Sequence, residues 1–147
     1  MNSMKTFYLA HPFNSRKAIR AWELKIEALN IINLFNPFYD SNGRGDVADV
    51  DAGRAPKYTC DPRDVVEGDL RSLRDSDGVV AVIDDGLRYG TSMEIVYAKE
   101  AHKLIYLIVT NGEEKHPWLV YHAARIFTSF EEFERFLREE FSHETQV

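Results

Sequence analysis

Two carboxylic acids, Glu94 and Asp69, stand where catalytic chemistry is possible. Glu94 lies near the start of a predicted helix, where the helix dipole would keep its carboxylate ionised, as a nucleophile requires. Asp69 borders the apolar stripe of another predicted helix, which consists of Val66, Leu70 and Leu73. A carboxyl group buried beside a ligand has a raised pKa that suits it to donate a proton. The pair would supply a nucleophile and a general acid.

Each of these side chains also has an ordinary structural interpretation. Thr91 to Glu94 has the spacing of a capping box, in which Glu94 would bond only the backbone of Thr91. A salt bridge to a nearby arginine would explain Asp69. Tyr8 and His11, at the end of a predicted strand, are by default a core aromatic residue and a structural histidine. Spacing alone leaves both interpretations open.

The segment 78–103 predicts the elements that would position Glu94. Its apolar run, Val79 to Ile83, is typical of a strand buried on both faces. A polar turn follows at 84–90, and a helix is expected to begin at Thr91 with Glu94 in its first turn. A strand, a polar turn and a helix in this order predict a ligand site.

The other predicted elements alternate between strand and helix. Strands are expected at 5–10, 31–35, 104–109 and 126–128, and helices at 15–30, 62–75, 117–125 and from Ser129. Parallel strands need crossover helices, so this order predicts an α/β fold. We expect one domain, a doubly wound, mainly parallel five-stranded sheet with helices on both faces (flavodoxin-like or Rossmann-like), with a frayed tail at 142–147. Ligands of such sheets bind beyond the carboxyl ends of the strands.

The composition is that of a soluble globular protein, with 44% hydrophobic and 29% charged residues in 147. A net charge of -6 argues against broad contact with nucleic acid phosphates. Cys60 is the only cysteine, which fits a reducing compartment. No apolar run reaches the length of about 18 residues that a membrane span needs. We expect a cytoplasmic protein without nucleic acid polymer or membrane partners.

No cofactor or metal motif stands out. The glycine fingerprint of a dinucleotide site and the phosphate-binding P-loop are both missing, and no two histidines stand at i, i+4. The aspartates between residues 46 and 51 do not follow the calcium-loop spacing. The sequence therefore predicts neither a cofactor nor a metal. The long segment 38–60, rich in Asp and Gly, is expected to be a functional or mobile loop.

Four segments together resemble the nucleoside 2-deoxyribosyltransferase family and its relatives that hydrolyse nucleoside 5'-monophosphates at the N-glycosidic bond. Residues 8–13 (YLAHPF) are similar to the family's opening YLAGPF, and residues 68–80 resemble its segment DL…AD.VVA. Residues 90–98 (GTSMEIVYA) are similar to its GTAxELGYA block, and Lys103 before an apolar strand resembles its GKPV element. The resemblance covers residues 5 to about 110.

The resemblance implies a mechanism with two carboxylates, as in retaining glycosidases. Glu94 would attack the anomeric C1' of the sugar and form a glycosyl ester. Asp69 would protonate the departing base, and Tyr8 would hold the Glu94 carboxylate by a hydrogen bond. Another base, or water, would then take the sugar. The implied partners are a nucleoside or nucleotide and a free nucleobase, with no cofactor.

Departures from the family pattern concern the substrate. Arg88 stands six residues before Glu94, where the transferases have an Asp that binds the sugar 5'-hydroxyl. An arginine suits a phosphate instead, which it grips with a bidentate fork. Ser15 and Arg16, at a predicted helix start, would also suit an anion, and His11 replaces the usual glycine. The expected substrate-binding residues are His11, Phe13, Ser15, Arg16, Asp84, Arg88, Gly90 and Met93.

The acceptor of the sugar and the assembly stay open. Members of the family form dimers or larger oligomers, and Trp118 and Tyr121 are candidate interface residues. The transferases take an Asn from a neighbouring subunit, whereas the corresponding residues 116–119 contain none. One alternative is therefore a (deoxy)nucleoside 5'-monophosphate N-glycosidase without transferase activity. Another is a non-catalytic nucleotide-binding or sensing module that has kept the fold.

Overall fold

A parallel sheet dominates the computed structural model, which describes residues 4–40 and 61–141. Its strands are β1 (Lys5–Ala10), β2 (Ile32–Phe35), β3 (Gly78–Ile83), β4 (Leu104–Val109) and β5 (Arg125–Phe127), in the spatial order β2-β1-β3-β4-β5. Its helices are α1 (Arg16–Glu27), α2 (Pro62–Asp75), α3 (Tyr89–Glu100), α4 (Pro117–His122) and α5 (Phe130–Glu139). A short 3-10 turn, Phe13–Ser15, precedes α1. The predicted tail at 142–147 and most of the predicted loop at 38–60 lie outside the described residues.

Helices cover both faces of the sheet, because successive strand side chains point to opposite sides. Along β1, Phe7 and Leu9 pack with the apolar residues of α1 and α5. Tyr8 and Ala10 pack on the other face, with residues of α2 and α3. The predicted doubly wound α/β fold is confirmed. The alternation also decides that Tyr8 faces the two helices that carry Asp69 and Glu94.

The strand order places the functional candidates at one edge of the sheet. All strand pairs are parallel, with Tyr8 beside Val79 and Val80 beside Tyr106. The segments after β1, β3 and β4 therefore emerge side by side at the carboxyl edge, which we call the rim. The direction of the chain reverses between β1 and β3, the switch point where ligands of such sheets bind. The rim is thus the edge of the sheet at which the fold class leads us to expect a ligand.

Helix α2 begins as its sequence predicts. The Asp61 carboxylate accepts a hydrogen bond from the backbone N–H of Arg63 at 2.9 Å, and Pro62 occupies the first turn. Leu73 is fully buried, but Val66, which the same apolar stripe included, is 53% exposed. The prediction for Val66 was wrong because only the C-terminal half of α2 packs into the described core.

Helix α3 differs from the prediction at its start. It begins at Tyr89, two residues before the expected Thr91, so Glu94 lies in the second turn rather than the first. Arg88 is the N-cap and makes no side-chain cap hydrogen bond, while Thr91 is buried inside the helix. Thr91 therefore cannot act as the cap of a Thr91–Glu94 capping box. The turn before α3 is shorter than its polar sequence suggested.

The C-terminal elements follow the prediction with small shifts. Helix α4 ends at His122 rather than 125, and β5 begins at Arg125 rather than 126. The Ser129 hydroxyl accepts from the N–H of Glu132 at 3.0 Å, as a cap should. The Glu132 carboxylate, however, accepts from the N–H and the hydroxyl of Thr128, whereas a capping box would use the N–H of Ser129. Those bonds from Thr128 hold the pKa of Glu132 below its usual value.

Two glycines offer a direct test of this packing. A Cβ at Gly78 would lie 2.5 Å from Cε1 of Phe7 and 2.7 Å from the carbonyl oxygen of Leu104, whereas a Cβ at Gly68 would meet nothing within 4 Å. We predict that Gly78→Ala lowers the free energy of unfolding by about 1–3 kcal/mol. Gly68→Ala, within α2, should raise it by up to about 1 kcal/mol. Urea unfolding measures both, and equal midpoints for Gly78→Ala and wild type would contradict the packing of β1 on β3.

Candidate functional site

A hydrogen bond between Tyr8 and Glu94 forms the centre of the rim. The Tyr8 hydroxyl donates to Oε2 of Glu94. Tyr8 is fully buried in β1, and its ring stacks on Phe35 at 6.1 Å between centroids. Because the phenol is fully buried and stacked on Phe35, it fixes one oxygen of the half-buried Glu94 carboxylate. This is the arrangement that a positioned carboxylate nucleophile needs.

Asp69 lies on the same face of the sheet as this pair. Helix α2 runs antiparallel to β3, so its N-terminal half points toward the rim. Asp69 is one turn closer to the rim than Leu73, which packs in one cluster with Tyr8 and Ile95. Its side chain is half-buried. The fold therefore brings the three predicted catalytic residues to one side of the switch point.

The turn after β3 is organised by Asp84. Its carboxylate accepts from the N–H of Gly86 at 2.8 Å and from the Ser15 hydroxyl at 2.5 Å. Its carbonyl oxygen accepts from the Arg88 guanidinium at 2.8 Å and from the Asn111 amide at 3.2 Å. One residue thereby ties the start of α1, the turn before α3 and the loop after β4 together.

Arg88 is engaged within the protein. Besides its bond to Asp84, its guanidinium forms an ion pair with the Glu113 carboxylate at 2.8 Å. The N–H of Glu113 donates to the side chain of Asn111 at 3.1 Å. Asn111 first, and then Arg88, hold the pKa of Glu113 below its usual value. The Glu113 carboxylate is therefore ionised at neutral pH. Sequence reasoning about Arg88 had no signal for Glu113.

A cavity of about 440 Å³ opens beside the start of α3. Its lining consists of residues 85–89, Ser92 and Met93. Met93 adjoins Glu94 in sequence, and Arg88 forms part of the wall. A Cβ added at the exposed Gly90 would lie 3.9 Å from Oε1 of Glu94. The glycine thus leaves room beside the carboxylate oxygen that Tyr8 does not hold.

His11 forms part of the buried wall behind the rim. Its Nε2 lies 3.0 Å from the side-chain oxygen of Asn36 and its Nδ1 lies 3.1 Å from the carbonyl oxygen of Pro12. Burial lowers its pKa despite these two bonds. Its ring packs against the Phe38 ring at 4.9 Å between centroids. The Phe13 ring also packs against Phe38, at 5.5 Å. Each ring nitrogen therefore faces an oxygen atom of the protein.

Ser15 and Arg16 are also held by protein groups. The Ser15 hydroxyl binds Asp84 and makes no cap hydrogen bond to α1, although Ser15 is the N-cap residue. The Arg16 guanidinium lies 4.0 Å from the Phe13 ring centre and donates to the Phe13 carbonyl at 3.1 Å. Arg16 is only 9% exposed. An anion bound here would have to displace these contacts.

A buried carboxylate, Glu23, lies behind His11 and was missed by sequence reasoning. It accepts from the Asn36 amide and from the Arg20 guanidinium, both at 2.8 Å. Its side chain is fully buried, and this burial raises its pKa to about 7 against the lowering effect of Asn36 and Arg20. Its position four residues after Ile19 on the apolar stripe of α1 was the available signal.

The described residues give no sign of a metal centre or a membrane segment. Within 4–40 and 61–141, no group of three or more His, Cys, Asp or Glu side chains is arranged to hold a metal ion. None of the helices in these ranges has the length and apolarity to cross a bilayer.

Comparison with known proteins finds likeness in structure rather than in sequence. Neither the protein-family models nor the curated proteins contain a match to this sequence. A 2-deoxyribosyltransferase from Bacillus psychrosaccharolyticus superposes with a TM-score of 0.69 at 18% identity, over 94% of each chain. A CMP N-glycosidase from Clostridium botulinum has a TM-score of 0.60 at 17% identity, over 91% of this chain and 98% of its own. A 2-deoxyribosyltransferase from Leishmania mexicana has a TM-score of 0.60 at 16% identity, over 93% of this chain and 99% of its own.

The buried Glu23 predicts a pH-dependent stability. Its pKa is about 7 in the folded protein and near 4.5 in the unfolded chain, so the folded state binds the proton more tightly. The stabilisation from this proton is full below pH 4.5 and is lost as the pH rises to about 7. We predict that wild type loses stability relative to Glu23→Gln across that interval. Urea unfolding at several pH values measures the difference, with the exposed Glu139→Gln as control. Parallel pH profiles for wild type and Glu23→Gln would contradict the burial of Glu23.

Proposed function

We propose that this protein is an enzyme that cleaves the N-glycosidic bond of 2'-deoxynucleosides or of their 5'-monophosphates. The observation that carries the proposal is the hydrogen bond from Tyr8 to Glu94 at the switch point of the sheet. A buried phenol that holds one carboxylate oxygen fixes the orientation of the Glu94 carboxylate, which an attack on one defined carbon atom requires. The resemblance of residues 90–98 to the transferase block independently gives Glu94 the role of nucleophile.

The proposed reaction has two steps. Oε1 of Glu94 attacks C1' of the sugar, the bond from C1' to the base nitrogen breaks, and its electron pair leaves with the base. Asp69 gives that base a proton, which improves a poor leaving group. In the second step another nucleobase, or water, attacks C1', its proton passes to the Asp69 carboxylate, and Glu94 is released. The carboxylates therefore take the roles of nucleophile and acid–base of a retaining glycosidase.

The proteins that share the fold support this choice of chemistry. By their names, two transfer 2-deoxyribosyl groups and one cleaves the glycosidic bond of CMP. Sequence identities of 16–18% support a common fold but do not identify the substrate. Two properties are left to experiment. One is whether a nucleobase or water accepts the sugar, and the other is whether the substrate carries a 5'-hydroxyl or a 5'-phosphate. A non-catalytic nucleotide-binding module is the outcome if ligands bind without turnover.

The catalytic roles predict a clear ranking of variants. We expect the wild-type protein to release free base from a 2'-deoxynucleoside or its 5'-monophosphate. Chromatography measures the released base. Glu94→Ala should abolish release because the nucleophile is gone. Tyr8→Phe should lower kcat by about 10- to 100-fold because the carboxylate loses its fixed orientation. Glu100→Gln, at the exposed far end of α3, is the control and should release base like wild type.

Two further readouts decide the proposal. Addition of a second free base yields a new nucleoside only if the sugar is transferred rather than passed to water. Full activity in Glu94→Ala, or no base released from any nucleoside or nucleotide, would contradict the proposed function.

An aromatic and apolar face supports self-association, the second part of the proposal. It is formed by exposed residues of α3 and α4, which are Tyr89, Met93, Tyr97, Trp118 and Tyr121. The Lys99 ammonium lies 5.0 Å from the Tyr121 ring and links the two helices. Aromatic residues and Met are enriched at protein interfaces, and single exposed apolar residues are common but contiguous groups are not. We propose that this face joins copies of the chain in a homodimer or a larger homo-oligomer.

The interface proposal predicts a change in assembly. The double substitution Trp118→Ser and Tyr121→Ser should shift the protein toward monomers, because it removes the two most exposed rings of α4. Sedimentation velocity over a range of concentrations measures the effect. Leu24→Ser, an exposed leucine of α1 on the opposite face, is the control and should leave the assembly unchanged. A monomeric wild type would contradict the proposal.

A further inference from the structure

We propose that Glu113 decides between a 5'-hydroxyl and a 5'-phosphate on the substrate, by occupying the guanidinium of Arg88. The inference rests on the proposed function, since it concerns the end of the substrate remote from the bond that breaks. Glu113 binds neither the base nor C1' in this scheme. It acts as a specificity-determining residue through the cation that a phosphate needs.

The two side chains meet because their strands are neighbours. Arg88 follows β3 and Glu113 follows β4, and these strands pair in parallel along their whole length. Both residues therefore lie at the rim, where the ion pair measures 2.8 Å. The guanidinium also donates to the carbonyl oxygen of Asp84 at 2.8 Å. These two bonds use two of the five N–H groups of an arginine and fix the direction of its fork.

Glu113 is aimed at Arg88 by the backbone that precedes it. Its N–H donates to the Asn111 side chain at 3.1 Å, and Asn111 in turn donates to the carbonyl oxygen of Asp84 at 3.2 Å. Asp84 thus accepts hydrogen bonds from both Arg88 and Asn111. The loop after β4 and the turn after β3 are connected at one oxygen atom. The ion pair is built into the rim rather than formed by two freely moving side chains.

The position of Arg88 relative to Glu94 connects the pair to substrate choice. Arg88 stands two residues before Gly90, where an added Cβ would lie 3.9 Å from Oε1 of Glu94, and it lines the cavity of about 440 Å³ at the start of α3. A sugar with C1' beside Glu94 can therefore extend its 5' carbon past Gly90 toward Arg88. The 5' substituent then meets a guanidinium whose positive charge Glu113 already neutralises.

The two kinds of substrate interact differently with the Glu113 carboxylate. A 5'-hydroxyl is neutral and can donate a hydrogen bond to the Glu113 carboxylate without disturbing the ion pair. A 5'-phosphate is an anion and is repelled by the same carboxylate, so it binds Arg88 in a bidentate manner only after displacing Glu113. Because the side chains are 32% and 41% exposed, solvent screens the pair. We expect its removal to change phosphate binding by a factor of about 2 to 5.

The test compares two neighbouring carboxylates. Glu113→Gln should raise the ratio of kcat/KM for a 2'-deoxynucleoside 5'-monophosphate to that for the nucleoside by about 2- to 5-fold, through KM for the monophosphate. Glu114→Gln makes the same change in net charge one residue away and should leave the ratio at its wild-type value. In an Arg88→Gln background, Glu113→Gln should no longer alter the ratio, because the shared cation is gone.

An unchanged or lowered ratio in Glu113→Gln would overturn the inference, since Glu113 would then act only as a support for the loop or for Arg88. Calorimetric titration with inorganic phosphate separates this result from a failure of the proposed function. Tighter phosphate binding by Glu113→Gln than by wild type and Glu114→Gln supports the inference even if no variant releases base. Equal affinity, or no measurable binding in any of the three, overturns it. If base is released but the ratio of kcat/KM values is the same in Glu113→Gln and wild type, the proposed function holds and the role of Glu113 is refuted.

Discussion

The hydrogen bond between Tyr8 and Glu94 joins the first strand to the helix that follows the third strand, and the organisation of the rim depends on this contact. It requires three things of the fold. The alternation of β1 must turn Tyr8 toward α2 and α3, and β1 must lie directly beside β3. The turn after β3 must also bring Glu94 back over the sheet edge within one and a half helical turns. The parallel, doubly wound topology satisfies all three at once.

The remaining polar groups of the rim are satisfied by one another. Asp84 connects α1, α3 and the loop after β4, Arg88 is paired with Glu113, and Ser15 is bonded to Asp84. Each bond keeps a charged or polar group from facing an apolar surface unpaired. A ligand that binds at the rim would therefore have to exchange partners with these groups. Exchange of partners makes selectivity depend on the strength of internal bonds, which is the physical basis of the role proposed for Glu113.

Much of this architecture could be predicted from the sequence, because its signals are local. The apolar run of β3, the Asp61 cap with Pro62, and the buried stripe of α5 each depend on neighbours within a few residues. The placement of Tyr8 and Glu94 at one rim needs more than local signals, because it depends on β1 lying beside β3 in the sheet.

The parts that could not be predicted depend on tertiary contacts. Arg88 meets Glu113 across two neighbouring strands, 25 positions apart in the chain, and no local pattern marks such a pair. Helix α3 begins earlier than predicted because Thr91 is buried inside it. The burial of this side chain outweighs the preference of threonine for a cap position. Glu23 is the exception, because its position on the apolar stripe of α1 is a local signal that can be read from the sequence. Its carboxyl group is accommodated there because Asn36 and Arg20 bond both of its oxygen atoms.

The central claim is that Glu94 forms a covalent bond to the sugar, and mass spectrometry of the quenched enzyme tests it most directly. The protein is mixed with a 2'-deoxynucleoside or its 5'-monophosphate, denatured in acid within the first turnovers and digested. The account predicts that the peptide carrying Glu94 gains the mass of one 2-deoxyribosyl group or its 5-phosphate, and that Glu94→Gln shows no such gain. Base release by wild type with no adduct at any quench time, or with the adduct on a different residue, would contradict it.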